Sequence, residues 1–178
     1  VKQYDRYGMI DKNGKTTLTI KYELVSSMND GRFFAADNGT IAMFDSNYHQ
    51  MTPFLYHDIL AHNEDVYLVM RDRKYGYLNE QGEEYIKCEY DLAGPIINGF
   101  ATIMKEQKYG IICKDGTIIL PTNFDHSGLR EEAYVFHDGR ALVEKNGRFG
   151  YVDTTGTIVV PIFYDDAYQY SEGLAPIK

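Results

Sequence analysis

The sequence predicts an all-β repeat fold, and three observations carry that prediction. An aromatic-glycine pair recurs at a regular interval. Further columns of glycine and aromatic residues keep step with it. Helical periodicity is absent over most of the chain, which reads as short apolar runs closed by turn residues.

The pairs are Tyr7-Gly8, Tyr75-Gly76, Tyr109-Gly110 and Phe149-Gly150, with glycines 68, 34 and 40 residues apart. A 34-residue period with one worn copy and one six-residue insertion accounts for these intervals. The worn copy reads Ile41-Ala42-Met43-Phe44-Asp45 against Tyr7-Gly8-Met9-Ile10-Asp11. A second glycine column holds Gly14, Gly82, Gly116 and Gly156, with Tyr48 in the worn copy. An aromatic column holds Tyr22, Tyr56, Tyr90, Phe124 and Tyr164, followed in four copies by Glu23, Asp91, Asp125 and Asp165. A third glycine column holds Gly31, Gly99, Gly139 and Gly173, with Asp65 in the worn copy. The 178 residues therefore read as a single β-repeat domain of five units, about 1–34, 35–68, 69–102, 103–142 and 143–178.

The third unit shows the elements in order. Tyr75 to Leu78 is a short strand, and Asn79-Glu80-Gln81-Gly82 is a hairpin turn whose glycine supplies positive φ. Glu84 to Tyr90 is a second strand, and Asp91 to Asn98 is a looser loop carrying Gly94-Pro95. Phe100 to Glu106 is a third strand, turned back by Gln107-Lys108. Each unit is thus about three short antiparallel strands. Only Asp58 to Glu64 reads as one turn of helix. Met9-Ile10, Tyr77-Leu78, Ile111-Ile112 and Tyr151-Val152 are apolar at consecutive positions, so both faces of these strands require cover. Small sheets stacked face to face supply it. The expected architecture is a propeller-like ring or superhelix, with a stacked β-solenoid as the alternative.

The closest statement of the motif is Phe149-Gly150-Tyr151-Val152-Asp153-Thr154-Thr155-Gly156, then Pro161, Tyr164-Asp165 and Gly173-Leu174-Ala175. This pattern resembles the WG repeat family, also called KWG repeats, and covers essentially the whole chain. The signature Trp is absent throughout, replaced by Tyr, Phe or Ile, which marks a divergent member. The resemblance implies a bacterial β-repeat module without a common catalytic activity, acting as an interaction scaffold attached to other domains.

Composition excludes several classes. With 18 basic and 26 acidic residues, the net charge of −8 disfavours nucleic acid and anionic membrane surfaces as partners. No run approaches the roughly 18 apolar residues of a membrane span. The chain opens Val1-Lys2-Gln3-Tyr4, without an initiator Met, a basic n-region or an apolar h-region. The expectation is a piece of a longer chain, or one whose targeting segment has been removed, which leaves cytoplasmic and exported locations both open. Cys88 and Cys113 are too few for a disulfide framework and read as small buried hydrophobes.

The residue columns read as scaffold. Aromatics at fixed points of every repeat point to packing rather than to sugar stacking. Asp11, Asp45 and Asp153, with Asn79, each precede a turn and are expected to cap its backbone amides. One Asp per unit cannot assemble the six or more oxygens of a calcium site. His57 and His62 are five apart, off the spacing that puts two zinc ligands on one helix face. Asp125-His126-Ser127 are sequence neighbours, which is not how a nucleophile, base and acid converge. No metal, cofactor or catalytic constellation is therefore assigned, and the chain is read as not an enzyme.

What the scaffold does not require is the better pointer to function. The fourth unit carries its insertion within 126–138 and presents Leu129, Arg130, Tyr134 and Phe136, residue types that suit a protein interface. These four form the candidate binding site. Phe54, Leu55, Tyr56 and His57 of the worn unit form a secondary one. The expected role is a non-catalytic module that binds another protein or another domain of its parent. The alternative is a carbohydrate- or cell-wall-binding module with a glycan partner, and a hydrolase ranks below both.

Overall fold

The computed structural model describes residues 2–3, 5–28, 31–127 and 135–178, which form antiparallel strands and no helix. The first sheet comprises β1 (Lys2–Gln3), β2 (Arg6–Ile10) and β3 (Thr16–Tyr22). The second comprises β4 (Leu24–Ser27), β5 (Phe33–Asp37) and β6 (Thr40–Phe44). The third comprises β7 (Asp58–Asn63), β8 (Val66–Arg71), β9 (Lys74–Leu78) and β10 (Glu84–Tyr90). The fourth comprises β11 (Leu92–Ala93), β12 (Phe100–Lys105), β13 (Lys108–Cys113) and β14 (Ile118–Phe124). The fifth comprises β15 (His126–Ser127), β16 (Arg140–Lys145), β17 (Arg148–Asp153) and β18 (Ile158–Tyr164). Beyond β18, isolated antiparallel bridges join Ala167 to Ile177 and Ser171 to Leu174.

The all-β repeat fold of the sequence reading is present, with two differences in detail. The complete sheets have four strands, because a further strand, six residues long in β7 and two in β11 and β15, forms after the aromatic column. The segment read as a helical turn is β7, paired antiparallel with β8 through Asp58–Met70 and Asn63–Val66. Local spacing there suggested a helix, but cross-strand pairing satisfies its backbone more completely.

The doubly apolar strands are explained by stacking. Ile112 packs in a core between the third and fourth sheets, with Val66, Tyr77, Ile86, Ala101 and Ile103. Its neighbour Ile111 points the other way, into a core between the fourth and fifth sheets with Leu120, Val135, Ala141 and Val152. Successive side chains of a strand face opposite sides, so a sheet with neighbours on both faces needs both residues apolar. Such face-to-face stacking is propeller-like.

The aromatic-glycine pair has a steric cause. Tyr109 lies opposite Phe124 and Ile111 opposite Leu120, so β14 carries extra residues across from Gly110. A Cβ on Gly110 would sit 2.5 Å from the Leu120 carbonyl oxygen, and Gly8, Gly76 and Gly150 are equally confined. The bulge thus demands glycine at this column. Ala42 is tolerated in the worn copy because no regular fourth strand forms there; Tyr56 makes a single bridge to Ile41 instead.

Two edges of the stack follow from this topology. One carries the first–second strand loops and third–fourth strand turns. The other carries the second–third strand turns and the crossovers between sheets.

Candidate functional site

The repeated polar residues hold the scaffold together. At the turn edge, Asp11 Oδ1 accepts the amides of Asn13 and Lys15, both at 2.9 Å. Asp45 Oδ1 does the same for Asn47 and His49 at 2.8 Å, and Asp153 for Thr155 and Thr157 at 2.9 and 3.1 Å. Asn79 substitutes its amide oxygen, accepting from Gln81 and Glu83 at 3.0 and 2.9 Å. The acidic column is therefore a set of turn caps, as the sequence implied.

At the crossover edge a second column forms clasps. The basic residue before each aromatic-glycine pair meets the acidic residue after the aromatic column. The pairs are Arg6–Glu23 at 3.4 Å, Lys74–Asp91, Lys108–Asp125 and Arg148–Asp165. Three of these carboxylates also reach the next sheet: Glu23 accepts the Gly39 amide at 3.2 Å, Asp91 that of Glu106 at 2.7 Å and Asp125 that of Asn146 at 2.6 Å. A third set, on the same edge as the turn caps, spans one repeat. Glu64 accepts the Gly99 amide at 3.1 Å, and Asp138 accepts that of Gly173 at 2.8 Å.

These contacts set the acid response. Lys74 holds the Asp91 carboxyl below the usual carboxylate range, and Lys108 does so for Asp125. The Thr155 hydroxyl lowers Asp153, and the His49 amide lowers Asp45. A carboxyl whose folded pKa is depressed stabilises the fold above its unfolded value and loses that contribution as pH falls through the folded one. Stability is expected to be flat from pH 7 to 5 and to drop progressively below about pH 4. Urea midpoints at pH 7, 5 and 3 measure this; a midpoint that holds at pH 3 contradicts the clasp and cap assignments.

Among the described residues, the third sheet carries a polar cluster without counterpart in the other repeats. Arg71 donates twice to Glu84, at 2.6 and 2.8 Å. Tyr56 Oη donates to Glu84 at 3.2 Å, and the Cys88 amide reaches its other oxygen at 3.3 Å. Burial and the Glu84 charge push the Cys88 thiol up to about 11, so it stays protonated and unreactive at neutral pH. Every acceptor of Glu84 is used within the cluster, which ties the irregular segment of the second sheet to the third.

Sequence-predicted binding residues divide sharply. Leu129, Arg130 and Tyr134 lie outside the described residues. Phe136 is half-buried and meets the ring of Phe100 edge-on, with centroids 4.8 Å apart. Val135 beside it is buried in the core between the fourth and fifth sheets. The C-terminal stem of the insertion is thereby fixed to the stack. In the secondary candidate, Tyr56 is buried and Phe54 stacks on Tyr22 at 5.9 Å. Leu55 and His57 are exposed, and the His57 ring accepts the Asp72 amide at 3.3 Å. Sequence reasoning missed one feature, an open cleft of about 550 Å³ at the crossover edge of the fourth sheet. It is lined by Met104, Glu106, Gln107, Lys108, Tyr109 and Asp125. The turn beside it, Glu106-Gln107 (φ 53° and 62°), is equivalent to Asn38-Gly39, Asp72-Arg73 and Asn146-Gly147, so no sequence signal marks the cleft. Among the described residues, no three His, Cys, Asp or Glu side chains gather as a metal site requires.

With the geometry in place, comparison with known proteins adds the following. The family model described as WG containing repeat matches residues 7–40, 75–109, 109–149 and 149–178, skipping the worn copy. No curated protein matches. Among solved structures, a chain described as "Streptogramin B lyase structure" is similar at 18% identity, over 75% of this chain and 52% of that one, with a TM-score of 0.34. This chain thus spans about half the length of that neighbour, and the likeness extends no property to it.

Proposed function

Because the chain belongs to the WG containing repeat family, we propose that it is a non-catalytic interaction module. It binds another protein, or another domain of its parent, through surface that the repeat scaffold leaves unused. The observation that supports this reading is the consumption of the repeated chemistry by the fold itself. Turn-capping carboxylates, clasp pairs and four of the five column aromatics are engaged within or between sheets. Tyr22, Tyr56, Tyr90 and Phe124 are buried, which leaves these rings unavailable for stacking on a sugar. The non-repeated insertion of the fourth unit, anchored at Val135 and Phe136, is the favoured binding element.

Excision of six residues within 128–134 restores the 34-residue period and tests this directly. The full parent chain, intact and excised, serves as crosslinking bait in its native organism. A partner captured by the intact form and lost on excision, with unchanged thermal unfolding, is expected. Identical capture by both forms places the interface elsewhere, and glycan-array binding without a protein partner favours the carbohydrate module.

A further inference from the structure

The chain holds four Asn-Gly pairs, at Asn13-Gly14, Asn38-Gly39, Asn98-Gly99 and Asn146-Gly147. Asn-Gly is chemically vulnerable because glycine offers no side chain to hinder its own amide nitrogen. That nitrogen attacks the Asn Cγ, forming the ring C–N bond of a succinimide and expelling the side-chain nitrogen as ammonia. Water then opens the ring. Attack at the side-chain carbonyl gives Asp, and attack at the main-chain carbonyl gives isoaspartate. The net change is one amide and one water converted to one carboxylate and ammonium.

Reaction requires the glycine amide to give up its proton, so a hydrogen bond from that amide protects the pair. Three of the four glycines have one. The Gly14 amide donates to the Asp11 carbonyl at 3.0 Å. The Gly39 amide donates to Glu23 at 3.2 Å, and the Gly99 amide to Glu64 at 3.1 Å. The two carboxylates protect twice over, since their negative charge also disfavours an amide anion. Gly147 differs. It is exposed and its amide makes no hydrogen bond among the described residues. The equivalent clasp is one residue out of step there: the shorter Asp125 reaches the amide of Asn146 at 2.6 Å, where the longer Glu23 reaches Gly39. The Asp125 carboxylate lies beside this turn but bonds the Asn146 amide, so the Gly147 proton itself is not held.

We propose that Asn146-Gly147 is a spontaneous modification site, where the chain deamidates in preference to its other Asn-Gly pairs. The product places a carboxylate beside Asp125 and, as isoaspartate, adds a backbone carbon within a two-residue turn. Both changes strike the clasp between the fourth and fifth sheets and the cleft that Asp125 lines. The site thus alters one edge of the module with age, independently of whether the insertion binds a partner.

Peptide mass mapping with isoaspartate detection, on the intact chain held at 37 °C and pH 8, tests the proposal. Deamidation at Asn146 is expected about fivefold faster than at Asn38 or Asn98, the scale of one hydrogen bond. Equal rates at all four pairs, or a faster reaction at Asn13, Asn38 or Asn98, overturns it. Glu23→Ala and Glu64→Ala supply a second test without touching residue 146. Each frees one glycine amide and is expected to raise deamidation at Asn38 or Asn98, respectively, toward the Asn146 rate. If both rates stay unchanged, hydrogen bonding does not select the site and the inference fails.

Discussion

Gly156→Ala is expected to cost about 4 kcal/mol of folding stability, against about 1 kcal/mol for Gly14→Ala at the equivalent turn. The two glycines occupy one column and share one backbone conformation, with φ of 80° and 81°. A Cβ at either position pays the left-handed penalty, which Tyr48 of the worn copy also bears at φ 69°. Their surroundings differ. Gly14 has nothing within 4 Å of an added Cβ, whereas at Gly156 that atom would lie 1.9 Å from the Ile119 carbonyl oxygen. The third–fourth strand turn of the fifth sheet rests on the last strand of the fourth, and backbone there cannot yield as a flexible side chain can. The added methyl must push the sheets apart, exposing the core of Ile111, Leu120 and Val152. Urea midpoints of the two variants give the comparison. Equal losses would mean that this turn does not seat the fifth sheet.

Tyr77→Ala is expected to destabilise by about 4 kcal/mol, and Tyr77→Phe by about 1 kcal/mol. Tyr77 is fully buried in the core between the third and fourth sheets. Its hydroxyl donates to the Gly94 carbonyl of the fourth sheet at 2.6 Å. Truncation removes the ring and leaves a cavity bounded by strands that cannot all collapse into it. The Phe variant keeps the ring and removes only the donor to Gly94. Tyr151 repeats the arrangement with the Tyr168 carbonyl at 2.7 Å. Ile111 occupies the same column in the fourth unit without a hydroxyl, so the hydrogen bond is an addition to the packing rather than its basis. Calorimetry of both variants separates the two contributions. A Phe variant as damaged as the Ala variant would assign the stability to the hydrogen bond instead.

Much of this molecule was legible without its structure because its rules are local. The repeat register was readable even in the worn copy. There Tyr48 and Asp65 adopt the positive φ of the glycines they replace, at 69° and 64°. The Asp caps were readable because each carboxylate bonds amides two and four residues ahead. The demand for cover on both strand faces was readable from adjacent apolar pairs such as Ile111-Ile112, each half of which enters a different core. The candidate binding residues were readable only as departures from the repeat. Phe136 turned out to pack on Phe100, a contact with another unit that insertion length cannot announce.

The sequence by itself determined the period, the turns and the alternation of faces, since dihedral preference and side chain–backbone bonds act over a few residues. Tertiary structure alone decided the rest. It drew Leu92–Ala93 out of a loop as a fourth strand and made Asp58–Asn63 a strand rather than a helical turn. It also brought Arg71, Glu84 and Tyr56 together across 28 residues of chain. Those outcomes depend on pairing and burial between distant segments, whose energies outweigh the weak local preferences that a linear pattern records.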